Sequence, residues 1–341
     1  MSGWIIFVVS VLTLAGIYAI LSMILNLEAG WGGMWDLGIA GLLAVGAYTY
    51  VIFTLPPGKE DVEFAVGWPI WAGVLMAALM TGAVALVIGT PALRLRGEYF
   101  LITTFAFAEV IRQVLINQNS WTKGTVGFAQ IQRPFETYVS GRDYNYLLLG
   151  MVALVAVVVF LVTRRLGKAP FGRLMRGFRD NEPLANALGK HVTRYRVQTF
   201  VLVGVLIGAT APLYVWYIRA LVPQLFAADI TFTVWIALVV GGLASIGGPA
   251  LGAVVLIGIT EGLQFIPVSV EHAVLLSSTR PMLLGLALIL VLRYRPQGLI
   301  PERRSFKNES RRFERFVARG GGGDQPTPRE PSVASSQSRD Q

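Results

Sequence analysis

Arg164–Arg196, RRLGKAPFGRLMRGFRDNEPLANALGKHVTRYR, is the one long polar stretch in a chain that is otherwise a succession of apolar runs. Arg164, Arg165, Lys168, Arg173, Arg176, Arg179, Lys190, Arg194 and Arg196 stand in it against only Asp180 and Glu182. Apolar spans flank it on both sides, so it must leave the bilayer. Its positive balance places it on the cytoplasmic face, because Lys and Arg in short loops resist translocation. Phe171, Leu174, Met175 and Phe178 recur at helical spacing and predict one apolar stripe. Asp180 or Asn181 can cap a second short helix, Pro183 is tolerated in its first turn, and Ala185, Leu188 and a left-handed stop at Gly189 fit about two turns. Two amphipathic helices on a basic loop suit docking into a partner's groove with the stripe as anchor. They suit equally an interfacial helix lying on anionic lipid.

Composition agrees with a membrane protein. Of 341 residues 54% are hydrophobic and 14% charged, and several apolar runs approach the roughly 20 residues that a helix needs to cross a bilayer. The net charge of +9 sits at the ends of those runs, where it sets orientation and does not point to nucleic acid. With no cysteine there is no disulfide or thiolate chemistry, and His191 and His272, the only histidines, make no metal centre.

The apolar runs predict an all-α polytopic protein of about nine transmembrane or partly broken helices, near 4–25, 34–55, 68–90, 98–116, 145–163, 197–217, 230–246, 249–266 and 281–293. The first lacks a basic start and a small-residue cleavage pattern and reads as a retained span. With 164–196 inside, the net acidic loop 56–67 falls outside, and Arg94, Arg96, Arg293, Arg295, Arg303 and Arg304 fall inside. The N-terminus is therefore out and the C-terminus in. Residues 1–300 form one transmembrane domain. Residues 301–341 form a tail, basic over 302–319 as a short surface helix, then polar and disordered.

Small residues within the spans (Gly38, Gly41, Gly46, Ala47; Gly204, Gly208, Ala209; Gly252, Ala253, Gly258) mark sites of helix–helix approach. Gly30–Gly33 and Gly241–Pro249, with Gly32, Gly33, Gly241, Gly242, Gly247 and Gly248 as breakers, are expected to interrupt helices at membrane depth. Such breaks are tolerated only where backbone is buried in protein or lines a wet cavity. A plain turn between helices is the other reading of the second segment. Polar residues in spans are few. Glu109 and Arg112 can pair across one turn. Asp36 and Glu261 lie in or beside apolar runs and are pathway candidates, with snorkelling or structural pairing equally open. Thr103 and Thr104 can bond substrate or back-bond to their own helix. The chain carries no phosphate-binding loop, nucleophile elbow or zinc-protease motif, so no catalytic residue is assigned.

Several stretches together resemble the LivM-type permease subunits of branched-chain amino acid ABC importers. They are Asn26–Gly33 (NLEAGWGG), Leu37–Thr49 (LGIAGLLAVGAYT), Pro91–Phe107 (PALRLRGEYFLITTFAF) with Glu109–Arg112, Thr122–Gly127 (TKGTVG), Arg179–Arg196, Gly241–Gly252 (GGLASIGGPALG) and Arg295–Leu299 (RPQGL). The resemblance covers nearly all of 20–300 and is specific through the order of its motifs. It implies that the 164–196 loop enters a groove on an ATP-binding subunit. Glu182, Ala185 and Gly189, flanked by Arg179 and Leu188, would make that contact, with Pro183 and Leu184 where the family has small residues. Asn26, Thr103, Thr104, Glu109, Arg112 and Glu261 stand as the pathway candidates, and the resemblance implies a bacterial-type inner membrane as the location. The partners it implies are a second, homologous permease subunit, two ATP-binding cassette subunits that hold the ATP and Mg, and a periplasmic binding protein. A urea or short-amide permease is the sister reading. An ion-coupled secondary transporter using Asp36, Glu109 or Glu261 is the reading from another class.

Overall fold

The computed structural model describes residues 2–58, 65–95, 97–136, 138–139, 141, 143–262 and, with gaps, 282–302. Part of the expected span 281–293, the end of the span before it, residues 303–319 of the expected surface helix and the polar tail lie outside the described residues.

The chain is helical almost throughout. In order come α1 (Ser2–Asn26), α2 (Ile39–Thr54), α3 (Ile70–Ala92), α4 (Gly97–Asn117), the single turn α5 (Asn119–Thr122), α6 (Asp143–Lys168), α7 (Pro170–Asp180), α8 (Glu182–Ala187), α9 (Val192–Ile218), α10 (Ala228–Gly241) and α11 (Gly248–Gly262). Among the described residues six helical stretches are long and apolar enough to cross a bilayer: Gly3–Trp31, Ile70–Ala92, Gly97–Asn117, Asp143–Lys168, Val192–Ile218 and Pro223–Gly241. Ile39–Thr54 and Gly248–Gly262 are apolar but shorter. Among the described residues the only sheet is a two-residue antiparallel pair, β1 (Phe128–Ala129) with β2 (Ala220–Leu221). It lies at the end of α9 opposite α7 and α8.

The short helix α2 is the buried centre. Residues Ile39–Ala44, Gly46–Tyr48, Tyr50 and Val51 are all inaccessible, and α3, α4, α9 and α10 pack around it. The second half of α1 is buried in the same way and meets α6, α9, α10 and α11. By contrast α3, α4, α6 and α11 expose apolar faces, among them Val87, Ile102, Val110, Leu154 and Leu161. An apolar exterior around a small-residue interior is the pattern of a bundle solvated by lipid. There the hydrophobic effect does not join helices, and close backbone approach does.

Glycines supply that approach. A Cβ on Gly46 would lie 2.9 Å from both Gly208 Cα and Ala211 Cβ, and one on Gly41 would lie 2.7 Å from Ala108 Cα. A Cβ on Gly204 would meet Ala85, and one on Gly252 would collide with Ala237 O and the backbone of Gly241. Gly258 differs: nothing described lies within 4 Å of its Cβ position, so it marks no contact. The Gly208 position faces Ala77 O and Thr81 across the α3–α9 contact. Gly208→Leu should therefore force those helices apart and destabilise the fold by about 2 kcal/mol or more. The check is its thermal transition in detergent against that of Gly258→Leu, which should stay near wild type.

Candidate functional site

Two of the long apolar stretches are interrupted, and the interruptions meet. At Leu27 the first span changes from α to a π-helical turn that runs to Trp31, and residues 32–38 are non-helical until α2 begins. Met34 N bonds back to Glu28 O at 3.0 Å, and Gly33 takes a positive φ of 65° that a side chain would resist. The second interruption separates α10 from α11 at Gly242–Gly247, with φ of 119° at Gly242 and 61° at Ala244.

Breaking a helix frees its backbone groups, and in apolar surroundings each must find a partner within the protein. Asn26 supplies two. Its Nδ2 donates to Ser245 O at 2.7 Å and its Oδ1 accepts from Ala244 N at 2.8 Å. The indole of Trp31 donates to Ala244 O at 3.1 Å. Ser245 Oγ donates to Gly242 O and accepts from Gly248 N, both at 3.0 Å, and so caps the start of α11.

A second set of polar contacts holds the linker 32–38 against α4 and α10. Thr104 Oγ1 accepts from Leu37 N at 3.1 Å, and Thr231 Oγ1 accepts from Ala40 N at 3.1 Å. Asp36 Oδ1 accepts from Gly38 N at 2.7 Å in a local turn just before α2, and Trp235 Nε1 donates to Asp36 O at 2.6 Å. The Trp35 and Trp235 rings stack with centroids 5.2 Å apart. Glu28 and Asp36 are both 0% exposed and lie within electrostatic reach of each other. The two Glu28 oxygens and Asp36 Oδ2 have no geometrically formed hydrogen bond to any described residue. Buried acids of this kind mark the junction as the polar centre of the bundle.

The polar loop packs onto the same junction. The stripe on α7 is not a free anchor: Met175 and Phe178 are buried, and Phe171 and Phe178 contact the Tyr195 ring. A Cβ on Gly32 would come within 2.8 Å of Met175 Cε. The stripe therefore seats α7 on its own chain, because the bundle offers it an apolar surface nearer than any partner's. Arg179 likewise turns inward and donates to Gly30 O and to Glu302. Arg176 donates to Gly167 O at 2.5 Å and lies 5.7 Å from the centroid of the Trp31 ring.

What the loop presents outward is α8. Asn181 is its cap, accepting from Leu184 N at 3.0 Å, and Gly189 ends it at φ 72°. Glu182 pairs with Arg196 at 3.0 Å and Ala185 is buried, whereas Leu184 is 56% and Leu188 70% exposed.

The remaining candidate residues do not converge on the junction. Glu109 and Arg112 form a two-point pair on the outer face of α4, with Arg112 Nε 2.9 Å from Glu109 Oε2, and Gln113 joins it at 2.9 Å. Thr103 back-bonds to Tyr99 O at 2.6 Å. Glu261, near the end of α11, lies within electrostatic reach of Tyr18 and Tyr217. Glu28, Trp31, Ser245 and Glu302 were not singled out from the sequence. Glu28 carried a signal, as an acid in a run otherwise free of charge. Ser245 acts through the local turn at Gly242 and Gly248, whereas Trp31 and Glu302 act through partners more than a hundred residues away in the chain.

The fold and site together define a polytopic α-helical membrane protein whose interrupted spans meet beneath a basic loop. Residues 7–292 match the family described as the branched-chain amino acid transport system permease component. The chain belongs to that family. It is 29% identical over 315 residues to the high-affinity branched-chain amino acid transport system permease protein LivM of Salmonella typhimurium, covering 86% of this chain and 70% of that one. It is 27% identical over 322 residues to the probable branched-chain amino acid transport permease protein LivM of Methanocaldococcus jannaschii, covering 84% and 91%. Over 192 residues it is 26% identical to the nucleoside ABC transporter permease protein NupC of Lactococcus lactis, covering 54% and 59%. No solved structure matches it.

Asn26→Leu removes the partners of Ala244 N and Ser245 O at once. It should cost about 2–4 kcal/mol, whereas Thr103→Val should stay within about 0.5 kcal/mol of wild type. Thermal denaturation of both variants in detergent measures the difference.

Proposed function

We propose that this chain is the permease subunit of an ATP-driven importer that takes up branched-chain or other hydrophobic amino acids delivered by a periplasmic binding protein. The observation that carries this is the family match over residues 7–292. The chain has no phosphate-binding loop of its own, so ATP and Mg are held by two separate ATP-binding cassette subunits, and a second, homologous permease completes the membrane portion. Residues 1–300 are the transmembrane domain in an inner (plasma) membrane, with about nine spans, the N-terminus out, and the loop 164–196 and the tail 301–341 in the cytoplasm.

The ATPase contact is assigned to α8 and its flanks, with Leu184 and Leu188 as the apolar anchors and Glu182, Ala185 and Gly189 shaping the turn. Two exposed leucines on a helix this short, in a loop that also exposes Arg173, Lys190 and Arg194, suit a groove with an apolar floor and an acidic rim. The substrate path runs along the junction of the two breaks, through Asn26, Thr104, Glu28 and Asp36. Glu109, Arg112 and Thr103 on α4 face outward toward the second permease. An ion pair turned to lipid is costly, and a covering subunit removes that cost.

Reconstituted with its ATPase and binding protein, the complex should import leucine only with hydrolysable ATP, and vanadate should abolish uptake. Uptake that persists under vanadate and stops with an uncoupler at constant ATP would favour ion coupling instead. Leu188→Ser with Leu184→Ser should weaken ATPase copurification at least several-fold without loss of the folded permease. The absence of cysteine allows orientation to be read directly. A cysteine at position 58 should react with an impermeant maleimide in intact cells, and one at position 190 only after permeabilisation; the reverse pattern would overturn the orientation.

A further inference from the structure

The residue that connects the cytoplasmic loop to both broken spans is Arg179. Its Nη1 donates to Gly30 O, at the end of the π-helical turn in the first span. Its Nη2 is 3.1 Å from Glu302 Oε2 and 3.3 Å from Oε1, and its Nε is 3.2 Å from Asp180 Oδ1. The stem is fitted as closely as the head. A Cβ on Gly33 would lie 2.8 Å from Arg179 Cγ, so the glycine lets α7 close on the linker.

Glu302 ends a segment that closes the second break. After a tight turn at Gly298, φ 75°, Leu299 N donates to Val240 O and Ile300 N to Gly241 O, both at 2.9 Å. Val240 and Gly241 are the last residues of α10, and their carbonyls have no partner further along the helix. A segment from some sixty residues downstream therefore supplies partners for the last carbonyls of α10. The backbones of Gly242 and Gly298 pack directly on each other. One guanidinium thus reaches the first interrupted span directly, and the second through Glu302 and the two amides behind it.

We propose that Arg179 and Glu302 form a latch that carries displacement of α7 to both helix breaks at once, which makes Arg179 a positioning residue for transport and not part of the ATPase contact. The role rests on the importer reading above. Bonds to a backbone carbonyl on one break and to a carboxylate beside the other cannot both persist if the breaks move apart. The latch therefore permits the two spans to open together and opposes their opening singly. Arg179 is suited to this because its planar fork has several donors fixed in direction. A lysine at the same position presents a point charge and cannot span Gly30 O and Glu302 with the same geometry.

The test uses the assembled complex and the full-length chain alone. In the complex, Arg179→Gln and Glu302→Gln should each lower leucine uptake per ATP hydrolysed several-fold while assembly and hydrolysis persist. The double variant should be no worse than Arg179→Gln, because both changes cut the same connection. An unchanged uptake-to-hydrolysis ratio, additive losses, or a parallel fall in uptake and hydrolysis would overturn the latch, the last by reducing the pair to a brace. In the chain alone, Glu302→Gln should speed hydrogen exchange at the Leu299 and Ile300 amides several-fold. Unchanged protection there overturns the latch whatever the complex does. A complex that imports nothing with ATP would instead overturn the functional reading, and the exchange measurement would still decide the latch.

Discussion

A helix interrupted within an apolar bundle must have its freed backbone groups satisfied by some other part of the same protein, and the rest of this structure follows from how that is done. Asn26 faces the second break and bonds Ala244 and Ser245. The segment after Gly298 bonds Val240 and Gly241. Thr104, Thr231 and Asp36 receive the amides at the start of α2. Apart from the local bond at Asp36, each answer comes from a distant segment. The breaks are therefore the points at which separate parts of the fold are obliged to meet, and the bundle is held together through them as well as through its glycine contacts.

This obligation explains the division of labour in the basic loop. Its first helix, α7, spends its apolar stripe and Arg179 on the permease body, where Met175 and the arginine stem sit on Gly32 and Gly33. Its second helix, α8, keeps Leu184 and Leu188 in the open. A loop built this way has one helix bound to its own chain and one with its leucines exposed. Spacing alone could not make that distinction, because an apolar stripe on an amphipathic helix looks the same whether it covers its own chain or awaits another.

Much of the fold was legible in the residues. Long apolar runs separated by charge announce membrane helices, since a bilayer sets both their length and the cost of charge within them. The pairing of Glu109 with Arg112 follows from helical spacing, and the cap at Asn181 and the left-handed Gly189 follow from local turn chemistry. Helix ends were less legible. The expected span 34–55 starts at Ile39 and the expected span 230–246 ends at Gly241, because apolar residues run on through the non-helical linkers. Hydropathy registers what a residue avoids and says nothing of whether its backbone is coiled.

The sequence by itself determined the class of this protein, the position of its polar loop and the family to which its motifs belong, since each is written in residues close together in the chain. Only the tertiary structure decided that Asn26 serves residues 244 and 245, that Glu28 and Asp36 are both buried, and that Arg179 reaches Gly30 and Glu302. The physical reason is that these contacts join positions far apart along the chain. Which orphaned backbone group a side chain will satisfy depends on which helices have been brought alongside, and neither composition nor local periodicity records that.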